Sequence, residues 1–510
     1  MNRTEILARL SDPSEDWDVI IIGGGATGLG IAVDAASRGY RTALLEQADF
    51  AESTSSKSTK LIHGGVRYLR GGEVGLVRES LRERGRLLRN APGLVEPLPF
   101  VVPAYRWYER FFYGSGLTLY DLLAGDLGVR STGHLSQSET LSQIPNLRSQ
   151  GLYGGTLYWD GQFDDARLAV AMARTAVEHG GAVANHVRVE ELVKESGRVT
   201  GVVATDQIGG ETFRLAGKVV INATGVFTDS VRRMDEGEVG DLIAPSQGIH
   251  IVLDQKFLGG DTAIMIPSTD DGRVLFAIPW KGKMLLGTTD TGDVSVELHP
   301  RPLEEEVDYL IDHAGRYLAE KPTLSDIRST FAGLRPLVKP SDSDSQQTSK
   351  ISRSHYLSVS DSGLVTMAGG KWTTYRQMAE DAVDRAIEVG ELETRPCLTH
   401  DLTLLGGEKG SPDESVSDGD VEPVDPDLPY TKSDIRAAIR EEMGVTLADV
   451  LCRRTRAMFL DTEAALRSSE KVLGWMTEEL KEDASWAESQ REDFKKELAS
   501  YILPTSQSPS

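Results

Sequence analysis

The residues with the clearest chemical spacing are three glycines, Gly23, Gly25 and Gly28, in the pattern Gly-x-Gly-x-x-Gly. They follow a β-rich run that starts at Asp18, and an apolar helical pattern over residues 31–36 comes after them. In a strand–turn–helix unit, such glycines allow a tight turn, bring the backbone close to a pyrophosphate and let the helix pack against the strand. The helix N-terminus adds N–H groups and a positive dipole end. The pattern therefore predicts a dinucleotide-binding site.

An acidic residue and a second glycine segment support this prediction. Glu46 ends the next predicted strand, where its carboxylate would accept hydrogen bonds from ribose hydroxyls and exclude a 2′-phosphate. The fingerprint alone does not separate FAD from NAD, and a glycine turn of an unrelated α/β protein is the alternative. Much later in the chain, Asn222-Ala-Thr-Gly225 ends another buried strand. Its return to the same sheet would bring Ala223 and Gly225 near the dinucleotide, which favours a flavoprotein.

These motifs lie within an alternation of strands and helices. Periodicity predicts helices over 76–92, 167–180, 304–320 and 373–389, and strands of an antiparallel sheet over 248–254, 274–279 and 284–288. From Gly406 to Pro429 the chain has eight acidic residues and one Lys, a composition typical of a linker. Residues 431–502 again have helical periodicity and predict a small helical domain.

Composition and charge exclude several function classes. The 510 residues are 39% hydrophobic and 26% charged, which is typical of a globular protein. The two cysteines, Cys397 and Cys452, are too few for a Cys-ligated iron–sulfur cluster, a Cys₄ zinc site or a CxxC pair, and they suit a reducing cytoplasm. No metal site is predicted. A net charge of −23 is unfavourable for binding nucleic acid. Residues 1–17 have four acids and lack the apolar region of a secretory signal.

Seven segments, in order along the chain, resemble the family of FAD-dependent glycerol-3-phosphate dehydrogenases. The first is STSSKSTKLIHGGVRYL at 53–69, and the others are NATG at 222–225, QGIHIVL at 247–253, IPW at 278–280, GTTD at 287–290, GLRPL at 333–337 and GGKWTTYR at 369–376. The region around LADVLCRRT at 447–455 resembles the family's C-terminal helical domain, so the similarity spans about residues 17–500. Arg70 departs from the family pattern, which has a glutamate there.

This resemblance implies an α/β fold in which a Rossmann-like FAD-binding domain is interleaved with an antiparallel-sheet substrate domain, followed by a C-terminal all-helical domain. The predicted division is an FAD-binding domain at 17–85, 166–240 and 361–405, a substrate domain at 86–165 and 241–360, an acidic linker at 406–429 and a helical domain at 430–503.

The resemblance also implies the reaction. FAD would oxidise sn-glycerol 3-phosphate to dihydroxyacetone phosphate by hydride transfer from C2 to the flavin N5. Such a substrate is a dianion with a secondary alcohol, so it needs cations for its phosphate, and arginine and lysine both suit a phosphate. By resemblance the substrate-binding residues are Arg67, Tyr68, His250, Arg335, Arg353 and Lys371. The alternatives are a surface ion pair for each cation and a core position for Tyr68.

His250, Arg335 and Lys371 are the predicted catalytic residues. His250 has apolar neighbours on both sides, and a neutral imidazole there could accept the hydroxyl proton while the hydride leaves. The alternative is a core histidine that is satisfied by a backbone carbonyl. The family match favours contact with the substrate and leaves the identity of the base open.

The predicted cofactor-binding residues cluster in the glycine turn, the hydroxyl-rich segment after Glu46, the HGG turn and the GGK segment. Ser53 to Thr59 would lie over the pyrophosphate and isoalloxazine, or would cap a helix. The full set is Gly23, Gly25, Gly28, Glu46, Ser53, Thr54, Ser55, Ser58, His63, Gly64, Gly65, Ala223, Gly225, Gly370, Lys371 and Thr373.

An electron acceptor must lie outside the chain. By resemblance it is a membrane quinone, which implies a cytoplasmic protein with peripheral contact at the inner face of the cell membrane. Arg106–Tyr113, rich in aromatics and Arg, and Arg67–Asn90, with a charge of +4, are the candidate contact surfaces. Their alternatives are a packed aromatic cluster and a solvated helix face. The oligomeric state is open, with a homodimer as the candidate.

Three other functions compete with this prediction. One is an oxidase that passes the same electrons to O₂, and another is a relative that acts on an amino acid or another hydroxy acid. The third is a non-catalytic scaffold in which FAD is structural and the C-terminal helices bind a partner. The substrate-side cations and the ordered motifs favour the dehydrogenase.

Overall fold

Two β-sheets and a set of C-terminal helices form the protein. The structure is a computed structural model that describes residues 1–70, 72–267, 269–270, 272–339, 355–407 and 421–503. In these residues the strands are β1 (Asp16–Ile22), β2 (Thr42–Leu45), β3 (Leu61–Ile62), β4 (Val95–Ala104), β5 (Gly133–Leu135), β6 (Gly154–Phe163), β7 (Ala182–Ala184), β8 (Val187–Glu195), β9 (Arg198–Asp206), β10 (Thr212–Asn222), β11 (Ile243–Asp254), β12 (Ala263–Ile266), β13 (Leu275–Trp280), β14 (Lys283–Gly287), β15 (Ile327–Val338), β16 (His355–Val359) and β17 (Val365–Gly369).

The α-helices are shared between the two sheets and the C-terminal region. They are α1 (Arg3–Leu10), α2 (Ala26–Ser37), α3 (Val66–Arg70), α4 (Val74–Asn90), α5 (Glu109–Ala124), α6 (Gln137–Gln143), α7 (Asp165–Glu178), α8 (Thr228–Glu236), α9 (Glu304–Tyr317), α10 (Tyr375–Val389), α11 (Lys432–Glu442), α12 (Ala457–Leu460), α13 (Thr462–Leu480) and α14 (Ala484–Leu498). Within the described ranges, no helix combines the length and the apolar character needed to cross a membrane.

The first sheet has a parallel centre in the order β7-β2-β1-β10-β17. The run Val19–Ile22 of β1 is buried, as expected for a parallel strand covered on both faces. The helices α2, α7 and α10 pack together beside this sheet, and β16 and β9 add antiparallel edges. In such a sheet, ligands bind outside the carboxyl ends of the strands.

The second sheet is mostly antiparallel, in the order β15-β11-β14-β13-β12-β4-β6-β3. The predicted strands at 248–254 and 284–288 are β11 and β14, which pair so that His250 lies opposite Gly287. Strand β15 pairs with the other edge of β11 and carries Arg335 opposite Ser246. This sheet therefore brings the QGIH, GTTD and GLRPL segments side by side.

The C-terminal helices pack against the second sheet and share one apolar core with it. Val424 and Leu428, which lie inside the predicted linker, are buried in this core. Residues 408–420 of that predicted linker lie outside the described residues. The architecture agrees with the predicted fold class: a parallel α/β sheet, an interleaved antiparallel sheet and a helical C-terminal region.

Candidate active site

The turn between β1 and α2 holds the three predicted glycines. Gly23 has a φ of 109°, in the region that favours glycine, and a Cβ on Gly28 would lie 1.8 Å from the Gly23 carbonyl oxygen. Helix α2 begins at Ala26, whose N–H donates to Ser55 Oγ at 2.9 Å. The backbone thus turns tightly, and the N-terminus of a helix lies at the end of β1.

A cavity of about 370 Å³ lies at the carboxyl ends of β1, β2, β10 and β17. It collects predicted cofactor-binding residues from four distant parts of the chain. Those that line it are Gly23, Gly25, Glu46, Ser53, Thr54, Ser55, Ala223, Gly225, Gly370 and Lys371. Glycines, hydroxyls and a helix N-terminus around one cavity fit a bound dinucleotide.

Glu46 lies in this cavity just past the end of β2. Its carboxylate accepts hydrogen bonds from the N–H of Gly24 at 2.5 Å and of Ala48 at 2.9 Å. Burial raises the pKa of Glu46 to about 7, although the two N–H donors oppose that rise. Hydroxyl donors from a ribose would stabilise the ionised form further.

A second, smaller cavity of about 190 Å³ adjoins the first, and Thr54, Gly370 and Lys371 line both. It brings together the three predicted catalytic residues, which come from β11, β15 and the start of the helical turn before α10. The predicted residues that line it are Thr54, Ser58, His63, His250, Arg335, Gly370, Lys371 and Thr373.

Arg335 is held in the second cavity by β11 and by the residues that follow β14. Its guanidinium donates to the carbonyls of Gln247 at 3.1 Å and Thr289 at 2.8 Å, and to Thr288 Oγ1 at 3.1 Å. The Asp290 carboxylate lies 3.4 Å away. These contacts fix the orientation of a cation that still lines the cavity.

Lys371 is the residue before the short helix Trp372–Thr374 that leads into α10. Its Nζ lies 4.4 Å from the centre of the Tyr68 ring and 3.3 Å from Ser80 Oγ. A cation over an aromatic face is attracted by the ring. Tyr68 therefore contacts the predicted substrate-binding lysine.

His250 is 2% exposed, and its ring stacks on Phe331 with the ring centres 4.8 Å apart. Its Nε2 is 2.9 Å from Thr59 Oγ1, and its Nδ1 has no hydrogen-bond partner within the described part of the chain. Burial, and then the charges of Lys60 and Arg335, lower the pKa of His250 well below its ordinary value. The imidazole is therefore neutral at physiological pH and can accept a proton.

Some predicted residues lie elsewhere or outside the description. Gly28, Gly64, Gly65 and Tyr68 are not among the residues that line the two cavities. The N–H of Gly64 donates to the Tyr120 hydroxyl at 2.6 Å. Arg353 lies outside the described residues, as does the side chain of Arg67.

Three residues contribute contacts to the site that the sequence does not predict. Thr288 and Asp290 contact Arg335, and Thr59 contacts His250. Thr288 and Asp290 belong to the GTTD segment, which was noted without a role for its side chains. Thr59 belongs to the hydroxyl-rich segment that was assigned to the cofactor. Nothing in the sequence signals a contact between residues so far apart.

Comparisons with known proteins identify the family of the chain. The model of the FAD-dependent oxidoreductase family matches residues 18–376, and that of the C-terminal domain of alpha-glycerophosphate oxidase matches residues 413–490. The mitochondrial glycerol-3-phosphate dehydrogenase of Rattus norvegicus is 39% identical, over 96% of this chain and 74% of the rat protein. The glycerol-3-phosphate dehydrogenase of Bacillus halodurans, solved in complex with FAD, is 30% identical with a TM-score of 0.79, and the match covers 99% of each chain.

The fold and the first cavity define an FAD-dependent oxidoreductase, and the family model covers most of the chain. Within that class the chain belongs to the glycerol-3-phosphate dehydrogenase family. The predicted fold class and the predicted cofactor, FAD, are thereby confirmed.

Proposed function

We propose that this protein oxidises sn-glycerol 3-phosphate to dihydroxyacetone phosphate. The observation that carries this proposal is the second cavity, in which two cations and a neutral histidine line a space that adjoins the FAD cavity. Its lining combines predicted flavin-contacting residues, such as Ser58 and His63, with His250 and Arg335, so a substrate held here would lie beside the flavin. The relatives named above act, by their names, on the same compound.

Arg335 and Lys371 bind the phosphate dianion in this proposal. The two carbonyls and the threonine hydroxyl that hold Arg335 orient it before the substrate arrives, which reduces the cost of ordering on binding. Their local positive charge attracts an anion despite the net charge of −23.

His250 accepts the proton of the C2 hydroxyl. Its imidazole is neutral before the substrate binds, because burial and the charges of Lys60 and Arg335 lower its pKa. A bound phosphate dianion offsets the charge of Arg335, so the proton affinity of His250 rises when the substrate is in place. FAD, when bound, supplies the acceptor for the hydride that leaves C2.

The electron acceptor in this proposal is a quinone at a membrane surface. Trp107, Phe111 and Phe112, at the start of α5, are 69%, 68% and 63% exposed, so the alternative of a packed aromatic cluster fails for them. Arg106 lies beside them and is also exposed. Exposed aromatics next to Arg suit a lipid headgroup interface, which supports peripheral contact with a membrane.

An apolar cavity of about 1300 Å³ lies on the same side as the exposed aromatics at the start of α5. It supports this surface as the place where electrons pass from the flavin to the quinone. It is lined by Val66 and Leu69 of α3 and by Phe112 and Leu117 of α5. Helix α3 begins directly after the HGG turn, whose His63 lines the substrate cavity. The second candidate surface is less suitable, because Arg84 of α4 is buried and paired with Asp160 at 2.6 Å.

An anaerobic reduction experiment tests this proposal. The purified holoprotein is mixed with sn-glycerol 3-phosphate, glycerol or glycine, and the absorbance of oxidised flavin is followed. We expect rapid bleaching by glycerol 3-phosphate, only slow bleaching by glycerol and none by glycine. Flavin that stays oxidised would instead favour the scaffold function, and bleaching by glycine would favour an amino-acid substrate. Readmission of O₂ then separates an oxidase, which forms peroxide quickly, from a dehydrogenase that needs an added quinone.

A further inference from the structure

Arg456 of the C-terminal helical domain contacts residues that adjoin Ser58 and Thr59 of the second cavity. This arginine is fully buried at the start of α12. It donates hydrogen bonds to the Ser56 carbonyl at 2.9 Å and to the Asp165 carboxylate at 3.2 Å. Ser56 precedes β3, and Asp165 is the first residue of α7, so these bonds join the helical domain to the cofactor-binding part of the chain.

The Asp165 carboxylate holds the segment Ser58–Lys60. It accepts hydrogen bonds from the N–H and hydroxyl of Ser58, at 3.1 and 2.7 Å, and from Lys60 Nζ at 2.6 Å. Lys60 Nζ also donates to the Ser56 carbonyl at 2.6 Å. Lys60 has a φ of 60°, a left-handed conformation that costs energy for a residue with a side chain, and the contacts with Asp165 and the Ser56 carbonyl contribute to holding it there.

Thr59 lies between the two residues that Asp165 holds, and its hydroxyl is the group in contact with His250. The same helical domain also supports the flat face of the imidazole. The ring centres of Phe459, in α12, and Phe331 are 4.8 Å apart. The Phe331 ring in turn stacks on the His250 ring, also with 4.8 Å between the ring centres. Both supports of His250, one at the ring edge and one at the ring face, therefore lead back to residues 456–459.

We propose that Thr59 and Arg456 are positioning residues for His250, and that the C-terminal helical domain thereby serves the reduction of the flavin by substrate. Arg456 acts through Asp165 and the Ser58–Lys60 segment, and Thr59 acts by its hydroxyl. This inference rests on the proposed role of His250. It assigns the helical domain a task inside the catalytic unit, in place of a separate partner-binding module.

Variants at Thr59 test the direct contact between its hydroxyl and His250. Flavin reduction by sn-glycerol 3-phosphate is followed in anaerobic stopped flow with the FAD-loaded full chain. We expect Thr59→Val to lower the limiting rate about tenfold or more while the substrate Kd changes less than about threefold, because a positioning residue affects the transition state more than the ground state. Thr59→Ser keeps the hydroxyl and should restore most of the rate. The matched control is Thr262→Val, a buried threonine whose hydroxyl donates to Gln143 Oε1 at 2.8 Å.

Variants at two arginines just before α12 test the longer path, from Arg456 through Asp165 to His250. Arg456→Met removes the bond to Asp165, and Arg454→Met removes a buried pair with Asp49 at 2.6 and 2.8 Å. Within the described residues, none of the hydrogen bonds of Arg454 goes to the segment Ser56–Lys60. Both variants should lower the Tm, but only Arg456→Met should lower the reduction rate, by about fivefold or more.

The outcomes separate this inference from the proposed function. Wild-type rates in Thr59→Val, or equal losses in Arg454→Met and Arg456→Met, would overturn the positioning role. Loss of FAD in step with the rate would do the same. If Arg456→Met does not fold, Arg456→Lys takes its place in the comparison. A wild-type enzyme that glycerol 3-phosphate does not reduce would overturn the proposed function itself.

Discussion

Replacement of Arg335 by methionine should weaken the binding of glycerol 3-phosphate and leave weak activity on glycerol nearly unchanged. Methionine keeps much of the length of the arginine stem and removes the charge. In the structure the guanidinium already donates hydrogen bonds to the Gln247 and Thr289 carbonyls, so its orientation in the cavity is fixed before the substrate binds. Glycerol lacks the phosphate, so the loss of the guanidinium removes no interaction with it.

The size of the effect follows from the contacts. A hydrogen bond to a charged group contributes about 1.5–3 kcal/mol, and about 1.4 kcal/mol is a factor of ten in Kd. The Asp290 carboxylate, 3.4 Å from Arg335, already offsets part of the charge of the guanidinium. The contribution of Arg335 to binding should therefore lie toward the lower end of this energy range. We therefore expect the Kd of glycerol 3-phosphate to rise about 10- to 100-fold in Arg335→Met, and less in Arg335→Lys.

The assay is anaerobic flavin reduction over a range of substrate concentrations, which separates Kd from the limiting rate. Arg335→Met leaves the Asp290 carboxylate without its cation, and this negative charge could itself repel the phosphate. The control is therefore the double variant Arg335→Met, Asp290→Asn, which removes that charge. If the rate with glycerol falls by the same factor as kcat/KM with glycerol 3-phosphate, Arg335 does not recognise the phosphate and the reasoning is refuted.

Three further predictions concern the base, the cofactor site and the exposed aromatics. His250→Asn should lower the limiting rate of flavin reduction about 10²- to 10⁴-fold with FAD content retained, and a wild-type rate in stopped flow would exclude His250 as the base. Because the pKa of Glu46 is raised to about 7, its carboxylate is protonated as pH falls from 8 to 6, so FAD affinity measured by fluorescence titration should fall over this range. Glu46→Gln should bind FAD more weakly at pH 8 and lose this pH dependence, and an unchanged slope would contradict the role of Glu46. The triple change Trp107→Ser, Phe111→Ser, Phe112→Ser should reduce cosedimentation with lipid vesicles and quinone reduction but leave anaerobic flavin reduction intact. Tyr153→Ser, at a site 54% exposed elsewhere, is the control, and equal vesicle binding by both variants would refute the surface.

The sequence predicts the parts of the site that depend on local geometry. The turn at Gly23–Gly28 follows from what glycine backbones allow, and the structure places it between β1 and α2. Arg335 and Lys371 could be singled out because charged residues within apolar or glycine-rich runs need a reason. The strands at 248–254 and 284–288 followed from their apolar patterns.

Other parts depend on contacts that local pattern does not encode. Thr59 and His250 are 191 positions apart, and Arg456 and Asp165 are 291 apart. Lys60 directly follows the hydroxyl-rich segment that is predicted to contact the cofactor, yet its ammonium pairs with Asp165 and is fully buried. The exposure of Trp107 likewise depends on how α5 packs. The aromatic sequence pattern alone does not show whether other residues bury these side chains.

The central claim is that C2 of glycerol 3-phosphate gives up its hydride in the cavity formed by His250, Arg335 and Lys371. The most direct measurement is anaerobic flavin reduction by sn-glycerol 3-phosphate carrying deuterium at C2, with dihydroxyacetone phosphate counted at the end. We predict one product molecule for each FAD reduced and a slower reduction with the deuterated substrate. Reduction without this product, or none at all in a protein that holds FAD, would contradict the account.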